Sequence, residues 1–258
     1  MYKSLFTIVI PTYNVAEKIG GTIDSILGQS GSMRSGLVEI VVVDGGSADG
    51  TIDVVKSYGN RVRWISEPDK GLYDAMNKGI AMSTGRFLNF QGAGDSIRPG
   101  ILMEITPLMP DRPDSVVYGK VYLSSEHAEL GRKFTPHLLR KRNLPHQAVF
   151  YERSVFDIVG KFSLDYPILA DYALNIRCFG NPGIATFYID KVMANFEGGG
   201  VSDTGKDSYN GKVLGEDIKK YLGWPVWAVY EFQRLVRPVT NPIRQQLGDT
   251  SGPDTQED

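Results

Sequence analysis

The chain has 258 residues, 41% of them hydrophobic and 22% charged, a profile that excludes a disordered or collagen-like protein. Lysine and arginine number 28 against 30 acids, so a net charge of −2 supplies no global field to draw nucleic acid or an anionic bilayer. The single cysteine, Cys178, excludes an internal disulfide and a cysteine-rich zinc site; its apolar neighbours make it a core residue, and a reducing compartment fits. No run approaches the roughly 18 apolar residues that span a bilayer, and no signal peptide is legible, so a cytoplasmic location is expected.

In chain order, Leu5 to Ile10 is a nearly continuous apolar run stopped by Pro11, the pattern of a strand buried on both faces. Ile19, Ile23, Ile26 and Leu27 follow at helical spacing. Val38 to Val43 repeats the buried strand and ends at Asp44-Gly45-Gly46, before a short helix with Ile52, Val55 and Tyr58 on one face. Arg61 to Ser66 predicts a third strand, Leu72, Met76 and Ile80 a third helix, and Arg86 to Gln91 a fourth strand. This alternation argues for an α/β protein with a parallel sheet and helical crossovers.

The rhythm changes after Asp95, and Pro107, Pro110 and Pro113 mark a soft boundary near residue 114. Beyond it, strands are predicted over Val116 to Leu123, Gln147 to Tyr151 and Ile184 to Ile189, and helices from near Pro99, over Arg153 to Val159 and over Asp171 to Phe179. Residues 206–247 are helical in composition, interrupted by Pro225, Pro238 and Pro242. The end, 248–258, is rich in acids, poor in apolar residues and expected to be disordered.

Open α/β sheets bind ligands beyond the carboxyl ends of their strands. The segments there are Pro11-Thr12-Tyr13-Asn14, then Asp44 to Thr51, then Glu67-Pro68-Asp69-Lys70-Gly71, then Gly92-Ala93-Gly94-Asp95. Acids converging at such a rim suit a ligand with hydrogen-bond donors and a metal-bridged diphosphate. A dinucleotide fingerprint fails, because Gly45-Gly46-Ser47-Ala48-Asp49-Gly50 breaks the Gly-x-Gly-x-x-Gly spacing and follows the second strand. Taken singly, Asp44, Asp49 and Asp95 also read as turn or cap residues.

These segments, with Leu72-Tyr73-Asp74-Ala75-Met76-Asn77-Lys78-Gly79-Ile80, together resemble the family 2 glycosyltransferases, inverting enzymes of the GT-A fold. Pro145-His146-Gln147 and Ala170-Asp171-Tyr172 resemble the branch that builds bacterial exopolysaccharide, capsule or O-antigen units. The likeness covers about residues 5 to 202. It implies a Rossmann-like, mostly parallel sheet flanked by helices, with residues 1–114 as the nucleotide-sugar half, 115–205 as the acceptor-binding and catalytic half, and 206–247 as a helical extension. It further implies donor contacts from Pro11, Thr12, Tyr13, Asn14, Asp44, Gly45, Asp69, Lys70, Asn77 and Gly94, with Thr12 and Asp44 at a nucleobase, most often uracil, and Lys70 on phosphate oxygens. Asp95 would be the last acid of the family's Asp-x-Asp motif and hold Mg²⁺ or Mn²⁺, with His146 as a third ligand or an acceptor contact. The motif's usual first acid is absent, the segment reading Gly-Ala-Gly-Asp. Asp171 would be the general base; from its position alone it also reads as a helix cap, and His146 as an ordinary loop histidine.

The resemblance thus implies transfer of one sugar, from UDP-sugar most readily, to a lipid-linked (polyprenyl diphosphate) or oligosaccharide acceptor. The competing readings are a catalytically impaired sugar-nucleotide-binding module and a nucleotidyltransferase, the latter lacking its glycine- and base-rich loop after the first strand. A processive synthase is disfavoured because Gln-x-x-Arg-Trp is missing. Arg132, Lys133, Arg140, Lys141 and Arg142 form a basic stretch that reads as a solvated face or a contact surface. Lys219, Lys220, Arg234, Arg237 and Arg244 beside Trp224, Trp227, Tyr230, Phe232 and Leu235 suit peripheral contact with an inner leaflet, an amphipathic packing helix or a dimer contact equally. Gly198 to Ser202 reads as a segment that closes over the donor or as a linker.

Overall fold

The computed structural model describes residues 2–29, 36–198 and 210–246. Gly199 to Ser202, most of the expected closing segment, and the expected disordered end at 248–258 lie outside them. The predicted alternation is present: β1 (Ser4–Thr12), α1 (Ala16–Leu27), β2 (Val38–Asp44), α2 (Thr51–Ser57), β3 (Arg63–Ser66), α3 (Leu72–Met82) and β4 (Gly85–Phe90). The second half adds β5 (Ser96–Ile97), α4 (Ile101–Ile105), β6 (Ser115–Leu123), β7 (Ala128–Leu130), α5 (Pro136–Leu139), β8 (Val149–Glu152), α6 (Val155–Val159), α7 (Ala170–Gly180) and β9 (Ala185–Phe196).

All strands join one sheet in the order β3-β2-β1-β4-β8-β6-β9-β5, with β7 on β6. Neighbours β3, β2, β1 and β4 run parallel. β8 is antiparallel to both β4 and β6, which restores β6 and β9 to the direction of β4. This reversal brings the start of β8 beside the end of β4, so a residue just before β8 reaches the same rim as the loops after the parallel strands. The rim expected from the first half is therefore shared by the second.

Side chains alternate across β1. Ile8 and Ile10 face a core with α1, α2 and α4, whereas Val9 faces one with α3, α6 and α7, so both faces are covered and the strand carries no polar alternation. Cys178 is fully buried as expected, and burial pushes its thiol up to about 12, leaving it a packing residue.

Several boundaries differ from the sequence-based reading. His146 to Ala148 form a single 3₁₀ turn, so the strand expected from Gln147 begins at Val149; the Asn89 and Gln91 amides donate to the Gln147 carbonyl at 2.9 Å and hold it out of a ladder. The last strand runs to Phe196, well past Ile189, through Asp190 and Lys191, whose charges hid its continuation: Asp190 pairs with Lys120 at 2.6 Å and Lys191 with Glu104 at 3.0 Å. β5 and β7 are too short to show a period.

The C-terminal region is helical as expected, as α8 (Asn210–Asp217), a π turn (Ile218–Leu222) and α9 (Trp224–Gln246). Leu214 and Ile218 pack into the core shared by α3, α6 and α7. Pro225 sits at the second helical position, where its missing N–H is not needed, and the helix continues through Pro238 and Pro242, which do not divide it.

Candidate active site

Thr12, Asp44 and Ser66 end three adjacent strands in register. The Asp44 carboxylate is buried and closed upon its own turn: Oδ2 accepts from the Gly46 and Ser47 amides at 3.1 and 2.9 Å and from the Ser66 hydroxyl at 2.7 Å, and Oδ1 from the Ser47 and Thr12 hydroxyls. Burial alone would push this carboxyl up, but the Ser47 and Ser66 hydroxyls and the turn amides outweigh it and hold it below the usual range. Asp44 is thereby a turn-former. The expectation that it accepts from a nucleobase meets oxygens already occupied.

That burial gives a stability prediction. Asp44→Ala strands the hydroxyls and amides that meet this carboxylate and is expected to lower unfolding free energy by about 3 kcal/mol near neutral pH. Because the folded carboxyl titrates below the unfolded one, its contribution is complete above the unfolded value of about 3.9 and fades as pH falls through the folded one. Urea unfolding of both proteins along an acid series should show their difference shrinking; a constant difference contradicts this.

Asn14, with φ of 51°, occupies the left-handed region; its amide oxygen accepts from the Ala48 N–H at 3.0 Å and its own N–H donates to Ser47 at 2.7 Å, tying the first loop to the second. Asp49 accepts from the N–H of Ala16 and of Thr51, both at 3.0 Å, and so ties the start of α1 to that of α2, while the cap position of α2 is taken by Gly50. A Cβ on Gly45 would lie 2.6 Å from Asp69 Oδ2, so a larger residue there would displace the Asp69 carboxylate. Asp69 in turn accepts from the Gly71 N–H at 2.8 Å. The Tyr13 ring, 64% exposed, stands beyond Thr12, and the exposed Lys70 ammonium makes no ion pair among the described residues. Thr12, Tyr13, Asn14, Gly45, Asp69 and Lys70 thus share one end of the rim.

Asn77 is elsewhere employed. Its amide donates to the Phe162 carbonyl at 2.8 Å and accepts from the Phe162 N–H at 3.1 Å, clamping α3 to the loop before α7, so the expected donor contact finds both ends occupied. Gly94, with φ of 111°, donates its N–H to Thr22 at 2.9 Å and sets the turn before Asp95.

Asp95 lies at the other end, 7% exposed. Its Oδ2 accepts from Gln147 Nε2 at 2.9 Å and its Oδ1 from the Glu197 N–H at 3.2 Å; a Cβ on Gly92 would stand 2.9 Å from Oδ2. Burial raises this carboxyl above its ordinary value, and the bonds from Gln147 and Glu197 and the neighbouring His146 offset it only in part. Among the described residues no cluster of three or more His, Cys, Asp or Glu side chains is placed to hold a metal. An undercompensated carboxylate with an imidazole nearby is nevertheless a donor set that fits Mg²⁺ or Mn²⁺, which take few protein ligands and complete their shell with water and phosphate oxygens.

Asp171 faces the same space. Its Oδ1 accepts from the Tyr73 hydroxyl at 2.9 Å and its Oδ2 from Asn143 Nδ2 at 2.7 Å, and His146 Nδ1 lies 4.0 Å from Oδ2. The residue before α7 is Leu169 and no side chain caps that helix, so the capping alternative for Asp171 is not realised. Behind it, Asn175 donates to Asn143 at 2.9 Å and Tyr151 to Asn175 at 2.7 Å. Burial, then the Asp171 charge, pushes the Tyr73 phenol far above its ordinary value, so it remains a donor. Tyr73, Asn143 and Gln147 were missed as site residues. Tyr73 and Gln147 stand within the quoted motifs, whereas Asn143, in a basic loop, carries no local signal.

A mostly parallel α/β sheet with acids after its strands has the architecture of proteins that hold a ligand across the carboxyl edge. Residues 7–169 match the family described as glycosyl transferase family 2. The chain is 40% identical over 212 residues to a "PGL/p-HBAD biosynthesis glycosyltransferase" of Mycobacterium bovis, covering 79% of this chain and 81% of that one. It is 28% identical over 179 residues to an uncharacterized glycosyltransferase of Mycobacterium tuberculosis, covering 66% and 67%. In fold it resembles residues 1–349 of S. aureus TarS in complex with UDP-GlcNAc, with TM-score 0.66, 17% identity and coverage of 88% of this chain and 66% of that one. It also resembles the mannosyltransferase PcManGT of Pyrobaculum calidifontis in complex with GDP-Man and Mn²⁺, with TM-score 0.59, 18% identity and coverage of 92% and 65%. The chain therefore spans less than two thirds of the length of these solved chains. It belongs to glycosyl transferase family 2 and is a glycosyltransferase with the GT-A fold.

Proposed function

We propose that this glycosyltransferase moves a single sugar from a nucleoside-diphosphate donor, UDP-sugar first among them, to an acceptor hydroxyl with inversion. The observation that carries the reading is the opposition of Asp95 and Asp171 around His146, with the Tyr13 and Lys70 end of the rim alongside. The nucleobase would stack on Tyr13 near Thr12, the Asp44 turn and Gly45 would shape its floor, and Lys70 with the Asp69 loop would take phosphate oxygens.

Asp171 would accept the acceptor's hydroxyl proton as that oxygen bonds to the anomeric carbon; the bond from this carbon to the diphosphate breaks on the opposite face, and the nucleoside diphosphate departs with the electron pair. Tyr73 and Asn143 each donate to one oxygen of Asp171, fixing its plane. Asp95 and His146 would hold Mg²⁺ or Mn²⁺, which when bound supplies positive charge to the leaving diphosphate. The solved complexes with UDP-GlcNAc and with GDP-Man and Mn²⁺ support this reading by fold.

For the acceptor we favour a lipid-linked or oligosaccharide substrate of surface-glycan synthesis. Among the described residues no helix is long and apolar enough to cross a membrane. Trp224, Phe232 and Leu235 are exposed beside Lys219, Lys220 and Arg234, which supports peripheral membrane contact. Direct assay of nucleotide sugars, with the anomeric configuration of the product read by NMR, tests the core of the proposal; retained configuration or donor binding without transfer rejects it. Asn143→Ala is expected to lower kcat about tenfold with little change in donor KM, because it frees the plane of Asp171 without touching the donor; an unchanged kcat contradicts that role.

A further inference from the structure

Arg140 is 4% exposed, yet among the described residues no carboxylate lies within ion-pair distance of it. Its guanidinium donates to Gln233 Oε1 of α9 at 2.6 Å and meets His137 Nε2 at 2.8 Å, both uncharged partners in that arrangement, and its buried Nε has no partner among the described residues. A buried cation without a counter-charge is costly, and a chain that keeps one has a reason to want an anion there. The two side chains that meet the fork, His137 and Gln233, are both exposed, so an anion reaching the guanidinium from solvent would replace them as its partners.

The surroundings share its sign. Lys141 and Arg142 are exposed and without an ion pair among the described residues, as are Arg132 and Lys133. Burial and then the charges of Arg140 and Lys141 hold the His137 imidazole below its ordinary value. The place is also on the acceptor side of the rim. Asn143, next after Arg142, donates to Asp171, and Tyr172 donates to the Leu139 carbonyl.

We propose that the junction of α5 and α9 is a binding site for a phosphate or diphosphate group, with Arg140 at its base and Lys141 and Arg142 at its rim. The planar fork suits paired phosphate oxygens, and the neighbouring cations supply attraction at longer range. Two sources share this chemistry: the phosphate of an anionic acceptor and the headgroup of an anionic lipid. Naming the acceptor rests on the transfer reading above, whereas the site does not, and the experiment reads binding rather than turnover so that the two can fail separately.

The test uses the full chain with sodium pyrophosphate as one probe and phosphatidylcholine vesicles, with and without phosphatidylglycerol, as the other. Pyrophosphate is followed through the His137 ring resonances, which report this junction and not the donor end; vesicles are followed by co-sedimentation. Pyrophosphate should shift His137 in the unmodified protein. Arg140→Met and the pair Lys141→Ser with Arg142→Ser should each weaken that response about tenfold or more, the worth of a charge-assisted hydrogen bond. Arg140→Met should leave the melting temperature of the free protein unchanged or higher, since it removes an unpaired buried charge. A response confined to phosphatidylglycerol vesicles, with the same dependence on these residues, also supports the site and assigns the headgroup as source. Neither probe binding overturns the proposal. So does equal binding by the variants; should Arg140→Met fail to fold, the double variant decides. A lowered melting temperature in Arg140→Met with an undiminished pyrophosphate response would make Arg140 an anchor for α9 and nothing more.

Discussion

Asp171→Asn should abolish most transfer, with kcat falling about 10³-fold, the range a positioned general base supplies, while donor affinity stays within about twofold. Asparagine preserves size and can still accept from Tyr73 through its oxygen, but it has no basic carboxylate to take the acceptor proton. The environment makes this variant informative. Tyr73 and Asn143 each donate to one oxygen of Asp171. Asparagine keeps the Tyr73 bond, but its Nδ2 faces the Asn143 Nδ2 donor, so the Asn143 bond is lost along with the basic carboxylate, and Asn143→Ala measures that part separately. Rapid-quench turnover combined with calorimetric titration of the nucleotide checks it. Turnover near that of the unmodified protein would remove Asp171 from the chemistry and leave the Tyr73 and Asn143 contacts as packing.

The second large effect is at Asp95. Asp95→Asn is expected to reduce transfer by about 10²- to 10³-fold, and chelation by EDTA should silence the unmodified protein until Mn²⁺ or Mg²⁺ is restored. Titration of Mn²⁺ in the presence of nucleoside diphosphate should show weaker binding in the variant, a readout independent of turnover. Full activity in EDTA would refute the metal role. The same substitution should not harm the fold. Burial raises the Asp95 carboxyl, so the folded chain favours its neutral form; the stabilisation this gives is present below the unfolded value of about 3.9 and is lost as pH rises through the folded one. At neutral pH the ionised side chain is therefore a liability to the empty protein, and the Asp95→Asn variant should melt at the same temperature or higher. A residue that weakens the fold while serving the ligand is what a binding site predicts and a turn residue does not.

Both effects lie where the order of the chain was most and least legible. Asp95 could be placed at the sheet's ligand edge from its position after a buried apolar strand, but Asp44 follows such a strand too and position does not separate the two. Asp171 could not be so placed. Its position in α7 reads equally as a cap, and only the reversal of β8, which turns His146 toward the end of β4, and the approach of α3 with Tyr73 bring it to the same rim. At Asp44 the tertiary structure adds partners that the sequence does not announce. Its sequence setting was that of a ligand-binding acid, but its oxygens are consumed by Ser47, Ser66, Thr12 and the turn amides.

The amino-acid order by itself determined the β1 to β4 alternation and the burial of β1, β2 and β4 on both faces, because apolar periodicity and strand-ending turns are local properties. Which acid confronts which, that Asn77 clamps a loop, and that Arg140 is buried without a counter-ion among the described residues were decided by the tertiary structure alone. Those facts depend on segments dozens of residues apart meeting in space, and no local pattern records such meetings.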